Sequence, residues 1–194
     1  MGNRRIGRKR LYGVEKKGQK IDLEAGAGVS ANITSATQHR QGQEIITEIA
    51  IDLDGLTGAD TDRDIIGGTG ASYITRLTEA KFGIVTEVRV VCVETIVGAS
   101  NGITGDGISL EGGDGAAGVA GGAHAAGAAG GGTRSVMDHN VRLAGSDTSD
   151  TPATANVLSD HYLYIVMSEA GTAGEITAGK IIVYIHGFVA PADL

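Results

Sequence analysis

Residues 82–97, FGIVTEVRVVCVETIV, decide the fold class of this protein. Apolar residues alternate along most of this stretch and β-branched residues dominate it, which is typical of a β-strand with one buried face. The face predicted to be buried carries Phe82, Ile84, Val88, Val90, Cys92 and Ile96. Val91 and Val93 make the opposite face apolar as well, so we expect a central strand that is partly covered on both sides.

Four other segments repeat the strand pattern. EIITEIAIDL at residues 44–53 alternates cleanly, and further strands are predicted at 72–77, 162–167 and 180–189. Residues 171–180, GTAGEITAGK, are predicted to form a tight turn before the last strand. Helical patterns are short and interrupted by Gly. The sequence therefore predicts an all-β fold, an antiparallel sandwich or jelly-roll-like module.

Composition limits the class of protein further. A chain of 194 residues is long enough for one domain with a real core, and aromatics make up only 4% of it, so that core is expected to be aliphatic. Its single Cys excludes an intramolecular disulfide, and no apolar run is long enough to cross a bilayer, so no membrane partner is expected. We predict an extended N-terminal arm over residues 1–40 and a single β domain over residues 41–194.

Charge is divided unevenly along the chain. Residues 1–20, MGNRRIGRKRLYGVEKKGQK, hold eight of the sixteen Lys and Arg and a single acid, Glu15, so this segment carries +7 and the remainder −14 of a total of −7. Apolar residues are interleaved with the cations without any periodicity. The residues predicted to bind a partner are Arg4, Arg5, Ile6, Arg8, Lys9, Arg10, Leu11, Tyr12, Lys16, Lys17 and Lys20.

Such an arm, if extended, could reach about 60 Å at about 3.3 Å per residue, well beyond its own domain. The preferred partner is an acidic surface on a neighbouring protein subunit. The cations could instead neutralise the phosphates of packaged nucleic acid, with Tyr12 as the only ring nearby that could stack on a base.

A glycine-rich loop insertion is predicted at residues 98–135. The most Gly-rich part, residues 98–132, contains only four of the larger aliphatic residues: Ile103, Ile108, Leu110 and Val119. Burying four aliphatics does not offset the backbone entropy lost on ordering so many residues, Gly above all. We therefore expect neighbouring subunits to order this loop and the arm, and the protein to be a homo-oligomer.

Motifs that would indicate chemistry are incomplete. GGDG at 112–115 lacks a nine-residue repeat, GGTGAS at 67–72 lacks the Lys of a phosphate-binding loop, and no GxSxG is present. Five acids lie within residues 52–64, where a solvated turn is favoured over a cation site, although the sequence leaves that site open. Cys92 is expected to be a buried, unreactive thiol. The sequence therefore predicts a protein that is not an enzyme and has no cofactor.

Four stretches, MGNRRIGRKRLYGVEKKGQK, SYITRLTEAKFGI, VCVET and GEITAGKIIVYIHG, are similar to small β-rich virion structural proteins of marine tailed phages. The resemblance implies a virion protein assembled in the host cytoplasm, with the major capsid protein or other virion subunits as partners. In the head it would be a capsid decoration or cement protein, and that analogy suggests a trimer. The alternative is a tail or fibre component that binds a host receptor or glycan.

Overall fold

The computed structural model describes residues 18–58, 63–68, 70–98, 107–116, 119–120, 131–150, 160–168 and 174–189. These residues form two antiparallel β-sheets, which confirms the predicted all-β, sandwich-like class. Helical structure in these ranges is limited to a 3-10 turn at Ser30–Asn32 and the single-turn helix α1 at Glu79–Phe82. No helix among them has the length and apolar character needed to cross a membrane.

The larger sheet has seven strands in the described part of the chain. They are β1 (Gln19–Lys20), β2 (Ile33–Gln41), β3 (Glu44–Asp52), β4 (Thr57–Gly58), β6 (Ile84–Gly98), β10 (Asp147–Asp150) and β12 (Gly174–Phe188). Their order across the sheet is β1-β2-β3-β12-β6-β10, and β4 pairs with β12. β6 and β12 are therefore central, as the alternation of residues 82–97 predicts for β6.

The smaller sheet contains five described strands. They are β5 (Tyr73–Arg76), β7 (Ile108–Ala116), β8 (Val119–Ala120), β9 (Gly131–Val141) and β11 (Tyr162–Met167). β11 lies between β5 and β7, and both β8 and β9 pair with β7.

A single aliphatic core joins the two sheets. Ile49, Val90 and Val183 point inward from the larger sheet and are buried with Leu110 and Ile165 of the smaller sheet. The alternation of each strand supplies one such face, because successive side chains of a strand point to opposite sides. The side of each sheet turned away from this core is called its outer face below.

Two residues predicted to be covered on β6 are exposed. Ile84 is 46% exposed: the register opposite β12 passes from Glu87 to Val85, and Val85 packs against the core in its place. Val93 is 52% exposed: the register opposite β12 passes from Glu94 to Cys92 and leaves Val93 as a bulged residue on the outer face. The prediction that β6 is covered on both sides is therefore wrong at this point.

The predicted tight turn at 171–180 is also wrong in its described part. Residues 174–180 belong to β12, and Ile176 is fully buried. The pairing with β6 shifts register on either side of Ala178, and Gly179 has φ +143°, where a Cβ would lie 3.1 Å from Ile96. Gly and Thr belong here to a β-bulge within a long strand. Glycine is common both in bulges and in turns, so the sequence alone does not distinguish them.

The glycine-rich segment is only partly a loop. Within the predicted insertion at 98–135, β7 is an interior strand of the smaller sheet and pairs with β11 on one side and β9 on the other. Ile108 and Leu110 are fully buried in the common core. β7 is therefore ordered by strands from distant parts of the same chain and not by neighbouring subunits. Residues 99–106, 117–118 and 121–130 lie outside the described residues.

The predicted arm boundary at residue 40 is likewise wrong. β2 pairs with β3 along its whole length, and Leu23 and Val29 are buried in the core. Polar residues dominate β2, ITSATQHRQ, so its sequence lacks the alternation that identifies a strand. The arm can include only residues that precede Gly18.

Candidate interaction surface

Of the residues predicted to bind a partner, only Lys20 is described; Arg4, Arg5, Ile6, Arg8, Lys9, Arg10, Leu11, Tyr12, Lys16 and Lys17 lie outside the described residues. Lys20, in β1, is exposed and lies opposite Thr37 of β2. A Cβ on Gly18 would lie 2.8 Å from the Thr37 Cβ, so the chain is closely packed where it joins the sheet. The root of the arm is thus attached to the edge of the larger sheet.

The strand direction indicates where the arm leaves the body. β1 is antiparallel to β2, with Gln19 opposite Gln38 and Lys20 opposite Thr37. Going backward along the chain from Gln19 therefore leads toward the β2–β3 turn at Gly42, where φ is +65°. Gly18 is therefore the described residue of this segment that lies nearest to this end of the sheet.

A groove lies at the opposite end of β2. After the hydrogen bond from Ile21 N to Ala36 O, 3.2 Å, the chain diverges from β2 toward the smaller sheet. There the Thr75 hydroxyl donates to Leu23 O at 2.8 Å. The divergence opens a groove of about 330 Å³ between residues 20–25 and the first half of β2. Partly buried Ile21 and Ile33 contribute apolar surface to its lining.

Carboxylates line the rim of this groove. The Asp22 carboxylate accepts a hydrogen bond from the Glu24 amide at 2.9 Å, and this turn holds Glu24 at φ +52°. Glu24 also pairs with Lys81 at 3.0 Å. Asp22 and Glu24 line the groove together with the cation Lys20. The lining therefore combines charged and apolar side chains.

Further carboxylates lie close to this end of the sheet. The side-chain amide of Asn32, in the turn that leads into β2, donates to the carbonyls of Asp52 and Asp54 at 2.8 and 2.9 Å. The Asp52 carboxylate lies 3.9 Å from Lys180, which also donates to Glu94 at 2.5 Å. These contacts raise the pKa of Lys180, first through the Glu94 hydrogen bond and then through the charge of Asp52.

The outer face of the larger sheet continues this acidic character. Six acids and two cations lie on it: Glu44, Glu48, Asp52, Glu87, Glu94, Asp147, Arg89 and Lys180. Tyr184 lies opposite both Glu48 and Arg89, and the Arg89 guanidinium lies 5.6 Å from its ring centroid. Burial and then the Glu48 charge raise the pKa of Tyr184. Cations are therefore the complementary charge for this face.

Three tyrosines meet on the outer face of the smaller sheet, which sequence reasoning missed. The Tyr73 ring centroid lies 4.7 Å from that of Tyr162 and 6.5 Å from that of Tyr164. The Arg76 guanidinium lies 5.5 Å from the Tyr162 centroid and 3.8 Å from Asp160. The spacing of YLY at 162–164 places two of the rings on one face, but only the pairing of β5 with β11 adds the third.

The acidic stretch at 52–64 is divided by the fold. Asp60 and Asp62 lie outside the described residues. Asp52 ends β3 and Asp54 follows it, whereas Asp64 is buried where its carbonyl accepts from the Met167 amide at 2.9 Å. Within the described ranges, no three His, Cys, Asp or Glu residues are grouped closely enough to hold a metal ion.

These features define an antiparallel β-sandwich with an acidic outer face, a groove lined by apolar and charged residues and a basic segment that precedes Gly18. No family model, curated protein or solved structure matches this chain.

Proposed function

We propose that this protein is a non-enzymatic structural subunit of a virion, a capsid decoration or cement protein that reinforces the head. The observation that carries the proposal is the separation of charge about Gly18. Residues 1–17 carry +6 and the rest of the chain −13, and β1 attaches the basic segment to the edge of a rigid sandwich. The similarity of the quoted stretches to phage virion proteins supplies the assembly context.

In this role, the arm binds an acidic surface on a neighbouring subunit. Exposed ion pairs contribute only about 0–1 kcal/mol each, so seven cations act mainly through their number. Burial of Ile6, Leu11 and Tyr12 adds the larger share, at about 1.5–3 kcal/mol for each large apolar side chain that becomes fully buried. Many copies with such contacts would strengthen a shell without any single strong bond.

The test is the number of copies per particle. Deletion of residues 2–17 keeps Gly18 and β1, so the sandwich is expected to fold while incorporation into particles falls at least tenfold. A matched variant replaces the seven arm cations with Gln and retains the arm's length; it is expected to show an intermediate loss. Quantitative mass spectrometry of purified virions gives the copy number. Incorporation of the deletion variant at the wild-type level contradicts the proposal.

A second candidate function is receptor or glycan recognition by a tail or fibre component. The observation that favours it is the pair of partly exposed rings of Tyr73 and Tyr162, with Tyr164 buried beside them and Arg76 against the Tyr162 ring, because aromatic faces and cations commonly bind such ligands. Tyr162→Ala would then lower adsorption of particles to host cells at unchanged copy number. Imaging of tagged copies separates the two candidates, since shell-wide labelling supports the first and tail-only labelling the second.

A further inference from the structure

Resting on the proposed structural role, we infer that the groove between residues 20–25 and β2 receives the basic N-terminal segment, residues 4–12, of a second copy of this chain. Three features support this contact: the chemistry of the groove, the composition of the segment and the opposite positions of groove and arm root along β2.

The groove matches the apolar residues of the segment. Ile21 and Ile33 are only partly buried, although both pack against the core, so each has apolar surface left to cover. A volume of about 330 Å³ lies at the lower end of the range for ligand-binding pockets, about 300–1,000 Å³. Covering this surface with Ile6, Leu11 or Tyr12 removes apolar area from water on both partners.

Carboxylates in and beside the groove complement the cations of the segment. Asp22 and Glu24 line the groove with Lys20, and Asp52 and Asp54 lie beyond it across Asn32. These four carboxylates outnumber the three cations near them, Lys20, Lys81 and Lys180. Residues 4–12 contain five cations and no acid. Complementary charge of this kind steers association and suppresses wrong partners, and it is screened by salt.

The position of the arm root favours a second copy over the same chain. The root joins the sheet beside Thr37 and is directed toward Gly42, whereas the groove begins where the chain leaves β2 beyond Ala36. To enter its own groove, the arm would have to reverse and run back along the edge of the sheet. A neighbour placed beyond the β2–β3 turn presents its groove without that reversal.

This contact is head-to-tail, since the arm of one copy meets the groove of the next. Heterologous contacts of this type close into rings when the rotation between copies permits it and otherwise form filaments. A ring of this protein, the trimer of the sequence analysis among them, would thus be held by one arm–groove contact per subunit.

Two charge-reversed proteins test the contact in trans. The first replaces Arg8, Lys9 and Arg10 with Glu, and the second replaces Asp22 and Glu24 with Lys. Each alone is expected to self-associate at least tenfold more weakly than wild type in sedimentation velocity at low salt, whereas an equimolar mixture recovers association. The matched control for the second variant, Glu79→Lys with Glu175→Lys, makes the same change of net charge at two exposed acids that do not line the groove, and it is expected to associate as wild type does.

Photocrosslinking locates the contact independently of folding defects. A benzoylphenylalanine at Leu11 in the otherwise unchanged full chain is expected to crosslink to peptides from residues 20–36 of a differently tagged copy. Crosslinks confined to the same chain overturn the inference, and so do crosslinks to a second copy outside the groove. Failure of the charge-reversed pair to recover association overturns it as well.

The outcomes separate this inference from the proposed function. If wild type remains monomeric while deletion of residues 2–17 still removes the protein from particles, the groove inference fails and the structural role stands. If arm–groove association is found but the deletion leaves the copy number unchanged, the role in the particle fails and the contact between copies stands.

Discussion

Arg89 of β6 and Asp147 of β10 form a two-point ion pair across the outer face of the larger sheet. Arg89 Nε donates to Asp147 Oδ1 at 2.6 Å, and the Arg89 Nη2 group donates to Asp147 Oδ2. The guanidinium also lies against the ring of Tyr184. β10 has only four residues and pairs with β6 at the end of the strand order, so this contact joins a short edge strand to the centre of the sheet.

We predict that the Asp147 carboxyl group titrates below its usual pKa of 3.8, chiefly because of the hydrogen bond from Arg89. A folded-state pKa below the unfolded value means that the pair stabilises the fold fully above pH 3.8 and that this stabilisation is lost as the pH falls through the lower folded value. Carbon-13 NMR of the carboxyl group measures the midpoint. In Arg89→Gln the midpoint is expected to return toward 3.8; a midpoint unchanged by the substitution would contradict the assigned cause.

The two phenylalanines of the chain should differ sharply in their contribution to stability. Phe82 in α1 is buried at the end of the core, whereas Phe188 is 44% exposed. Phe82→Ala is expected to lower the free energy of unfolding by about 3–5 kcal/mol, because it leaves a cavity. Phe188→Ala is the matched control and should change it by less than about 1 kcal/mol. Urea denaturation measures both, and similar losses would show that Phe82 does not anchor the core.

Gly187 should not tolerate a side chain. A Cβ at this position would lie 2.0 Å from the backbone oxygen of Phe82, which belongs to α1 and cannot move like a flexible side chain. Gly187→Ala is expected to destabilise the fold by about 3 kcal/mol or more, at the upper end of the range for overpacking. Gly55, at φ +80° with open space around it, is the control; Gly55→Ala should cost only about 1–2 kcal/mol for the left-handed backbone. Equal losses in the two variants would be inconsistent with this close approach.

Cys92 should be unreactive in the folded protein. Its thiol is buried within donating distance of the carbonyls of Glu94 and Arg142, at 3.1 and 3.3 Å, and burial is the main cause that raises its pKa above 9.0. Because the folded-state pKa is raised, the stability associated with the neutral thiol is present below pH 9.0 and declines as the pH rises beyond it.

At pH 8, a thiol reagent is therefore expected to modify Cys92 at least a hundredfold more slowly in the native protein than in guanidinium. Val93→Cys combined with Cys92→Ala supplies the control, because residue 93 is a bulged, exposed position on the opposite face. It should react rapidly without denaturant. Equal native rates for the two thiols would show that Cys92 is accessible.

Strand prediction succeeded where a strand has one buried face, because apolar and polar residues then alternate in its sequence. Residues 44–53 and 180–189 were identified for this reason, and β3 and most of the second half of β12 lie there. Residues 162–167 form an unbroken apolar run instead, and β11 is buried on both faces. β2 was missed because it lies near the sheet edge with mostly polar side chains. The bulge before Gly179 was read as a turn because both structures use glycine for unusual backbone angles.

The candidate interaction surface was predictable only in its charge. The cations of residues 1–20 and the acidity of the remaining chain are visible in the sequence. The groove arises where the chain diverges from β2 after Ile21, and a hydrogen bond between Thr75 and Leu23, fifty-two positions apart, accompanies that divergence. No local pattern encodes such a contact.

The sequence by itself determined the all-β class, the aliphatic core and the basic segment, since alternation, residue type and charge are local properties of the chain. Tertiary structure alone decided that β7 is an interior strand, that three tyrosines meet and that a groove opens beside β2. These depend on which strands pair. Pairing is set by the summed burial and hydrogen bonding of segments far apart in the chain, which a single strand's sequence does not specify.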